Sequence, residues 1–370
     1  MYKRLKPVLP QVVWISLTAG LMLLFRLKQG DRSFMNGAAE RIAAPAGRAL
    51  ARVSYRVPWS MMELVIALAV LWGIAFLVWT GIRWYRTPDH RKGILLGAVL
   101  WAIAVVLTVM AAADWLWGVY YYADGLQEKS GIYAEDISLE ELTLVTRYAA
   151  ANLNEAAAKV PRDEKGCFAA SREEILARAD VVYETIAAEI PCLAYEDRAP
   201  KPVYFSKVMS HLRLTGVYFS YTGEANVNVD CPSCLLPATV AHELAHQRGI
   251  ASEKECNFAA VLAATTARDP AYCYSGWLFA YIHLGNALYA ADKEAWQEIR
   301  DSLADEVKLD LAVNNAYWKP YRENGISEGY QNLYDGYLKN YGESDGVKSY
   351  GMVVDLLTVY YRDAAVDAAS

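Results

Sequence analysis

The sequence is short of several ingredients, and what it lacks narrows the kinds of protein it can encode. Basic residues do not outnumber acidic ones: the formal net charge is −6, so the composition gives no reason to expect a nucleic-acid partner. Internal repeats and low-complexity linkers are missing, which argues against a modular array. Cysteine is missing before residue 167, and acidic residues are rare up to about residue 115. The chain therefore consists of two regions of different composition.

The first region contains three apolar runs, each about as long as a helix that crosses a bilayer. The runs cover residues 8–25, 61–82 and 94–113; the third carries no charge, and the one acid of the second, Glu63, lies near its start. Trp and Tyr residues flank the runs, as they do at membrane interfaces. Such runs are hard to bury in a soluble protein, so residues 1–117 are predicted to form a multi-pass membrane domain in contact with the lipid bilayer. The alternative is a set of buried core helices.

The side of the membrane on which the second region lies is predicted from its cysteines. Basic residues occur on both sides of the apolar runs, so the positive-inside rule gives balanced indications. All six cysteines follow the third run, and an even number confined to one region is typical of disulfides in an oxidising compartment. Residues 118–370 are therefore expected outside the cytoplasm; the alternative is reduced thiols inside the cell. The CxxC pair Cys231 and Cys234 is interpreted first as a structural disulfide, with a redox pair or half of a second metal site as alternatives.

Residues 118–370 show mainly helical periodicity, interrupted by one part that is typical of strands. Ser138 and Glu141 stand in the capping-box relation at the start of a helix. The stretches 201–206 and 216–230 are rich in Val, Tyr and Phe and predict a small sheet. Further helices are predicted at 237–248, 253–268, 275–290, 293–313 and 350–362. The second region is therefore expected to be a mainly helical α+β domain, with one small sheet directly before the helix at 237–248.

The helix predicted at 237–248 carries the motif HExxH, with His242, Glu243 and His246 at its defined positions. Histidines four residues apart lie on one face of a helix, so both imidazoles can reach one Zn²⁺ ion at about 2.0–2.1 Å. The glutamate then lies beside the open coordination position, where it can act as a general base. The chain has only five histidines, and two of them fall in this pattern. We interpret the histidines as zinc ligands and Glu243 as the catalytic base; the alternative is a surface helix with two chance histidines.

A catalytic zinc site needs a third protein ligand, and the next predicted helix offers two glutamates. Gly249 can end the first helix in a left-handed turn, after which Glu253 and Glu255 follow. These two side chains point about 200° apart on a helix, so at most one faces the metal. Glu255 stands in the capping-box relation to Ser252, which favours Glu253 as the ligand and leaves Glu255 as the alternative. Asn257, one turn after Glu253, is placed to hydrogen-bond a ligand.

The stretch HELAHQRGIASEKECNF resembles the gluzincin metallopeptidases, in which HExxH is followed by a helix with the pattern E-x-x-A-[ND]. The resemblance implies zinc binding by Glu253, with Cys256 in the position of the alanine and Asn257 as the polar partner. Glu253 follows His246 by seven positions, a shorter spacing than in most gluzincins. The spacing is closer to that of metzincins, where Ser252 would take the ligand position.

The wider sequence, including VPWSMMEL, EANVN, YSG and YLKNYG, resembles an uncharacterised bacterial family of membrane-anchored zinc metallopeptidases over nearly the whole chain. The resemblance implies a zincin-like domain and zinc-dependent hydrolysis of a peptide or protein substrate. In zincins an edge strand before the active helix aligns the peptide by β-augmentation, and GEANVNVD stands in that place. Tyr274 or Tyr350 is a candidate for stabilising the oxyanion. The alternative function is a non-proteolytic membrane sensor or scaffold that retains a zinc site.

Overall fold

The computed structural model describes residues 8–322, 325–341 and 351–370. The chain divides into two compact units. The first comprises Met1–Ala123 with Ser220–Gly223, and the second comprises Asp124–Phe219 with Glu224–Ser370. The sequence places the boundary between residues 117 and 118, close to the division after Ala123.

The described part of the first unit is helical, and three of its helices are long and apolar enough to cross a membrane. Its helices are α1 (Leu9–Lys28), α2 (Arg32–Ala38), α3 (Ala44–Ser54), α4 (Met61–Arg86) and α5 (Arg91–Leu116), with a π-helical turn at Ala39–Ala43 and 3₁₀ turns at Pro88–His90 and Gly118–Tyr121. Helices α1, α4 and α5 contain the predicted spans. The prediction of three helices able to span a bilayer is therefore confirmed.

Within the first unit, α1 packs along α5, and polar side chains join the two helices. Trp14 Nε1 donates to Thr108 Oγ1 at 2.8 Å, and Trp115 Nε1 donates to the Leu21 carbonyl at 3.2 Å. Helix α4 instead leaves most of its apolar side chains exposed, and Leu77 is 70% exposed. A helix satisfies its own backbone hydrogen bonds, so such a surface suits hydrocarbon rather than water.

The second unit is mainly helical and carries one small sheet. Its helices are α6 (Leu126–Ser130), α7 (Leu139–Ala157), α8 (Arg172–Ala177), α9 (Glu184–Glu189), α10 (Ser206–Leu212), α11 (Leu236–Gln247), α12 (Glu253–Thr266), α13 (Pro270–Ala291), α14 (Lys293–Asp301), α15 (Asp305–Arg322), α16 (Gly325–Asn340) and α17 (Gly351–Ala369). Its strands are β1 (Lys201–Pro202), β2 (Gly216–Phe219) and β3 (Glu224–Val227). The prediction of a mainly helical protein with one small sheet is confirmed, and the sheet is mixed.

The sheet has the strand order β1-β3-β2, so β3 is its middle strand. Lys201 of β1 lies opposite Asn226 in parallel pairing, and Gly216 of β2 lies opposite Val227 in antiparallel pairing. Gly223 makes the turn between β2 and β3 with a φ of 67°. The prediction that GEANVNVD forms an edge strand is wrong, because both sides of β3 are paired. Among the described residues the two outer strands are β1 and β2. Strand β1 comes from earlier in the chain, and no local pattern predicts its pairing with β3.

Helix α13 forms the centre of the second unit. Its side chains Trp277, Leu278 and Leu284 are all buried, and the helix packs against α7, α11, α12 and α17. A helix that is apolar on all sides is buried on all sides. This packing fixes α11 and α12, the two helices that carry the motif residues, against a common support.

Local signals account for several helix ends. The capping box at α7 is confirmed: Ser138 Oγ accepts from the Glu141 N–H at 3.1 Å, and Glu141 Oε2 accepts from the Ser138 N–H at 2.8 Å. The single helix predicted at 293–313 is instead two helices, α14 and α15. Asn154 causes the break, because its amide donates to the Ser302 carbonyl at 2.9 Å and accepts from the Ala304 N–H at 2.7 Å.

Candidate metal centre

The HExxH motif lies on α11, which is buried along most of its length. Pro237 occupies the first turn, where its missing N–H leaves no bond unmade, and Ser275 Oγ accepts from the Ala238 N–H at 3.0 Å. At the other end Gly249 has a φ of 80°, and its N–H donates to the His246 carbonyl at 2.9 Å. The left-handed turn predicted at Gly249 is thereby confirmed, and it leads the chain into α12.

The two motif histidines meet Glu253 at the start of α12. His242 Nε2 lies 3.2 Å from Glu253 Oε2, and His246 Nε2 lies 3.7 Å from Oε1 of the same carboxylate. The imidazole centroids are 4.8 Å apart, with the ring planes at 85°. One carboxylate therefore faces the Nε2 atoms of both histidines.

The other nitrogen of each imidazole has its own partner. His242 Nδ1 lies 2.8 Å from Asn257 Oδ1, and His246 Nδ1 lies 2.8 Å from the Ile250 carbonyl oxygen. Both partners are oxygens that can only accept, so each Nδ1 carries a hydrogen and donates it. In the neutral imidazole this leaves a lone pair on Nε2, the nitrogen that faces Glu253. Asn257 thus has the hydrogen-bonding position that the sequence predicts for it.

Cys256 lies on the other side of His246. The side chains of His242, His246 and Cys256 bring ligand atoms within 4.8 Å of one another, so this group could hold a metal ion. The Cys256 Sγ is 3.2 Å from His246 Nδ1 and 3.2 Å from the Ile250 carbonyl oxygen. The histidines therefore belong to two overlapping donor sets. One adds Glu253 on the Nε2 side, and the other adds Cys256 on the Nδ1 side of His246.

Glu243 lies beneath the start of β2 and is only 3% exposed. A Cβ atom on Gly216 would lie 2.3 Å from Glu243 Oε1 and 2.7 Å from its Cγ, so only glycine permits the strand to approach so closely. Glu243 Oε2 is buried and has no hydrogen-bond partner among the described residues. Burial raises the pKa of Glu243 to about 8. A buried carboxylate oxygen without a partner is costly, and a bound proton donor would remove that cost.

The electrostatics of the two histidines differ. Burial by itself would lower the pKa of His242, but the hydrogen bond and charge of Glu253 raise it to about 9. Burial lowers the pKa of His246 to about 4, and the charge on His242 also opposes its protonation. At neutral pH the metal-free protein therefore holds one proton between His242 and Glu253, while His246 is neutral. A bound cation would take the place of that proton.

Glu255, the alternative third ligand, is engaged by another segment. Its Oε2 accepts from the Leu126 N–H at 2.7 Å, and its Oε1 accepts from the Gln127 N–H at 3.1 Å and from the Gln127 side-chain amide at 3.3 Å. Glu255 therefore caps α6. The predicted capping box with Ser252 is not formed, since Ser252 makes no side-chain cap hydrogen bond. The carboxylate instead binds N–H groups that come from far along the chain.

Of the two tyrosines proposed for the oxyanion, Tyr274 lies outside this arrangement. The Tyr274 hydroxyl donates to Asp310 Oδ2 at 2.5 Å, and Arg162 Nη1 donates to the same oxygen at 2.6 Å. Tyr274 is thus part of a buried ionic cluster of the second unit. Tyr350 lies outside the described residues.

The cysteines are thiols in the structure, so the predicted disulfide between Cys231 and Cys234 is not formed. Cys231 Sγ donates to the Asn228 carbonyl at 3.2 Å. Burial raises the pKa of Cys231 to about 11 and that of Cys234 to about 12. Thiols with such a pKa are not thiolates at neutral pH, which does not favour the redox-pair interpretation.

Tyr330 and Gly216 are near the centre but were not found from the sequence. Burial raises the pKa of Tyr330, and the negative charge of Glu253 raises it further, so this tyrosine of α16 is within electrostatic reach of the centre. Gly216 allows β2 to lie over Glu243. Both residues are distant from HExxH in sequence. They stand among 26 tyrosines and 23 glycines, and no local pattern marks either of them.

Comparison with known proteins gives a family and no function. No curated protein and no solved structure matches the chain significantly. The sequence model of one family, described as "Protein of unknown function (DUF3810)", matches residues 42–358. The match includes α11, α12, the small sheet and the second and third apolar helices, which is well over half of the chain. The chain belongs to this family of proteins of unknown function, DUF3810.

Proposed function

We propose that this protein is a membrane-anchored zinc metallopeptidase that hydrolyses peptide bonds with Glu243 as its general base. The observation that carries the proposal is the meeting of His242 Nε2 and His246 Nε2 with the oxygens of Glu253, at 3.2 and 3.7 Å. HExxH alone does not require a carboxylate from the next helix to face both imidazoles. The motif and this carboxylate together make up the ligand number of a catalytic zinc site.

The donor set fits Zn²⁺. Two neutral imidazoles and one carboxylate are ligands typical of catalytic zinc, which keeps its remaining position for water. The hydrogen bonds from His242 Nδ1 to Asn257 and from His246 Nδ1 to Ile250 leave both Nε2 lone pairs available. We therefore assign His242, His246 and Glu253 as ligands. Asn257 orients His242 for binding.

Bound zinc supplies an activated water and a polarised scissile carbonyl at neutral pH. The protein itself then has to transfer a proton. Glu243 takes up the proton of the attacking water at Oε2, the oxygen without a partner among the described residues, and returns it to the departing amine nitrogen. Burial raises the pKa of Glu243 to about 8 in the metal-free protein, so Glu243 holds a proton there at neutral pH, and a bound cation beside it would favour the ionised form that acts as the base. Proton transfer is efficient when the pKa of the base lies near the working pH.

Strand β2 offers a place for the substrate. It is an outer strand of the sheet, and Gly216 at its start lies over Glu243. An extended peptide that pairs with this edge by β-augmentation would bring its backbone past Glu243. Tyr330 is our candidate donor to the oxyanion. It replaces Tyr274, whose hydroxyl donates to Asp310.

The proposal is tested on the full chain purified in detergent micelles. We expect about one zinc ion per chain by elemental analysis, as for a single catalytic site. His242→Ala should lose it, whereas His211→Ala, which changes an exposed histidine of α10, should retain it. Glu243→Gln should keep the zinc but cleave casein about 10²–10⁴-fold more slowly, the usual contribution of a general base. A metal-free wild-type protein, or unchanged cleavage by Glu243→Gln, would contradict the proposal.

One observation favours the alternative, a sensor or scaffold in which zinc is structural. Cys256 lies within ligand distance of the motif histidines, and thiolates are typical ligands of closed structural sites. In that case Cys256→Ala would remove the metal and Glu253→Gln would not. The peptidase proposal expects the reverse result from the same two variants.

The membrane location follows from the three apolar helices, and we propose that the second unit lies outside the cytoplasm. The proposal rests on the confinement of all six cysteines to that unit, whereas their thiol state in the structure is the one expected of a cytoplasmic unit. Fusions to the C-terminus distinguish the two sides. We expect an active alkaline phosphatase fusion and a dark green fluorescent protein fusion, and the opposite pair would place the second unit in the cytoplasm.

A further inference from the structure

The second unit contains a cavity of about 1070 Å³, lined by residues of α13, α14, α15 and α17. Ligand sites usually have volumes of about 300–1,000 Å³, so this one can hold a short peptide. Its walls are partly apolar, with Phe279, Ile282 and Leu311 among them. His283 also lines it. Burial lowers the pKa of His283, and the charge on His242 lowers it further, which brings the cavity within electrostatic reach of the candidate metal centre.

The cavity is positively charged, although the chain as a whole has a net charge of −6. Among the described residues, Arg213, Arg300, Lys308 and Arg322 line it, together with a single acid, Asp355. The three arginines have no carboxylate partner among the described residues. Charges of one sign around a concave site attract ligands of the opposite sign.

Hydrogen-bond donors gather at one end of this cavity. The Arg300 guanidinium lies 5.3 Å from the centre of the Trp296 ring. A Cβ atom on Gly285 would lie 3.5 Å from Tyr281 Cζ and 3.7 Å from Trp296 Nε1, so the phenol and the indole N–H both border the space next to this glycine. Tyr281 is only 4% exposed, and its hydroxyl has no hydrogen-bond partner among the described residues. Three donors of different kinds thus line the cavity, and none of them has a hydrogen-bond acceptor among the described residues.

We propose that this cavity binds the acidic side chains of a peptide, so that the proposed peptidase acts on substrates rich in Asp and Glu. Guanidinium groups form charge-assisted hydrogen bonds with carboxylates, often in pairs. The apolar walls accommodate the rest of the peptide. The inference rests on the proposed function for the statement that the peptide is a substrate, whereas binding requires neither the metal nor the base.

Binding is measured on the full chain in detergent micelles, as the zinc-loaded Glu243→Gln variant, so that the peptide is not consumed. The probes are short fluorescent peptides of equal length that differ only in carrying Glu, Gln or Lys, and the readout is anisotropy. We expect the Glu peptide to bind about tenfold more tightly than the Gln peptide, a difference that added salt reduces. Equal affinity for the Glu and Gln peptides, or a preference for the Lys peptide, overturns the inference.

Variants of the cavity sharpen the test. Arg300→Gln should weaken binding of the Glu peptide about tenfold, while Lys319→Gln, which changes an exposed lysine of α15 outside the cavity, should not. Tyr281→Phe should weaken binding without lowering the unfolding temperature, because its hydroxyl has no partner to lose. A purely structural Tyr281 would give the opposite pair of results.

Failure of the inference differs from failure of the proposed function. If the wild-type chain binds the Glu peptide but leaves it intact while Glu243→Gln changes nothing, the peptidase fails and the acidic ligand site stands. If the wild-type chain cleaves the Glu and Gln peptides with equal kcat/KM, the peptidase stands and the preference for acidic substrates fails.

Discussion

The two units place their apolar side chains in opposite ways. In the first unit Leu27 and Leu77 are 73% and 70% exposed, whereas in the second unit Leu244 and Leu284 are fully buried. The residue type is the same, so the difference reflects the solvent that surrounds each unit: hydrocarbon for the first and water for the second. An apolar side chain at the surface of the first unit loses nothing in hydrocarbon. In the second unit it would be exposed to water.

Burial in the second unit also affects its polar groups. The buried interior of the second unit surrounds Glu243 and His246, and burial is the largest cause of their shifted pKa values. A dry interior is costly for a lone charge, but it strengthens every interaction that the charge makes. The unit that buries its leucines is thus also the one in which a carboxylate and an imidazole acquire unusual proton affinity.

Truncation of a leucine should destabilise the second unit far more than the first. Leu284→Ala in the second unit should lower the free energy of unfolding by about 2–5 kcal/mol, because it leaves a cavity. Leu77→Ala in the first unit should change it by less than about 0.5 kcal/mol, since the side chain packs against no protein core. Proteolysis of the full chain in micelles at increasing urea concentrations measures both variants. Equal sensitivity would mean that α4 packs as tightly as α13.

A second test uses two glycines. Gly216→Ala should cost about 1–3 kcal/mol by overpacking, and it should lower peptidase activity, because the added Cβ displaces the Glu243 carboxylate. Gly73→Ala in α4 is the matched control, since a Cβ there meets nothing within 4 Å. Unfolding temperature and casein cleavage are measured for both. An unaffected Gly216→Ala protein would show that β2 does not lie against the base.

The third expectation concerns the hydrogen bond behind a metal ligand. Asn257→Ala should weaken zinc binding about 10–100-fold, the usual effect of removing a partner that orients a ligand. Asn152→Ala is the control, because its amide donates only to the Tyr148 carbonyl of its own helix. Competition with a chelator of known affinity measures the difference. Equal zinc affinity in the two variants would place His242 outside the ligand set.

The smallest effect is a dependence of zinc affinity on pH. The pKa of His242 is raised to about 9 in the metal-free protein, so below that pH a proton must leave before zinc binds. The pKa of His246 is lowered to about 4, so it is already neutral and adds no proton. In the Glu243→Gln variant, which lacks the proton that Glu243 itself holds below its pKa of about 8, the apparent affinity should rise about tenfold per unit between pH 5 and 8. Calorimetry in buffers of different ionisation enthalpy should find about one proton released, and no release would contradict the His242–Glu253 pairing.

Features encoded locally could be predicted from the sequence. The apolar runs gave the helices α1, α4 and α5, and Gly249 gave the left-handed turn after HExxH. Helical periodicity brings His242 and His246 to one face, and the next helix brings Glu253 to the Nε2 atoms of both. In each case the determining residues lie within a few turns of one another, so their spacing contains the information.

Features that depend on distant segments could not be predicted. Glu255 stands three residues after Ser252, yet its carboxylate binds Leu126 and Gln127. Strand β3 looks like an edge strand until β1 pairs with its free side. The close approach of Gly216 to Glu243 and the position of Tyr330 also depend on tertiary packing. The local sequence pattern determines whether a segment forms a helix or a strand, but the tertiary fold determines which segments it contacts.

The hydrogen bonds between Glu255 and α6 couple the stability of α6 to that of the first turn of α12. Helix α6 has five residues, too few to be stable without tertiary support, and Glu255 supplies acceptors for its first N–H groups. Glu255 belongs to the first turn of α12, which also carries Glu253. A cation that orders this turn therefore also orders α6, which follows directly on Asp124 at the beginning of the second unit. Occupancy of the centre would then be visible as slower hydrogen exchange at Leu126 and Gln127, which face no metal.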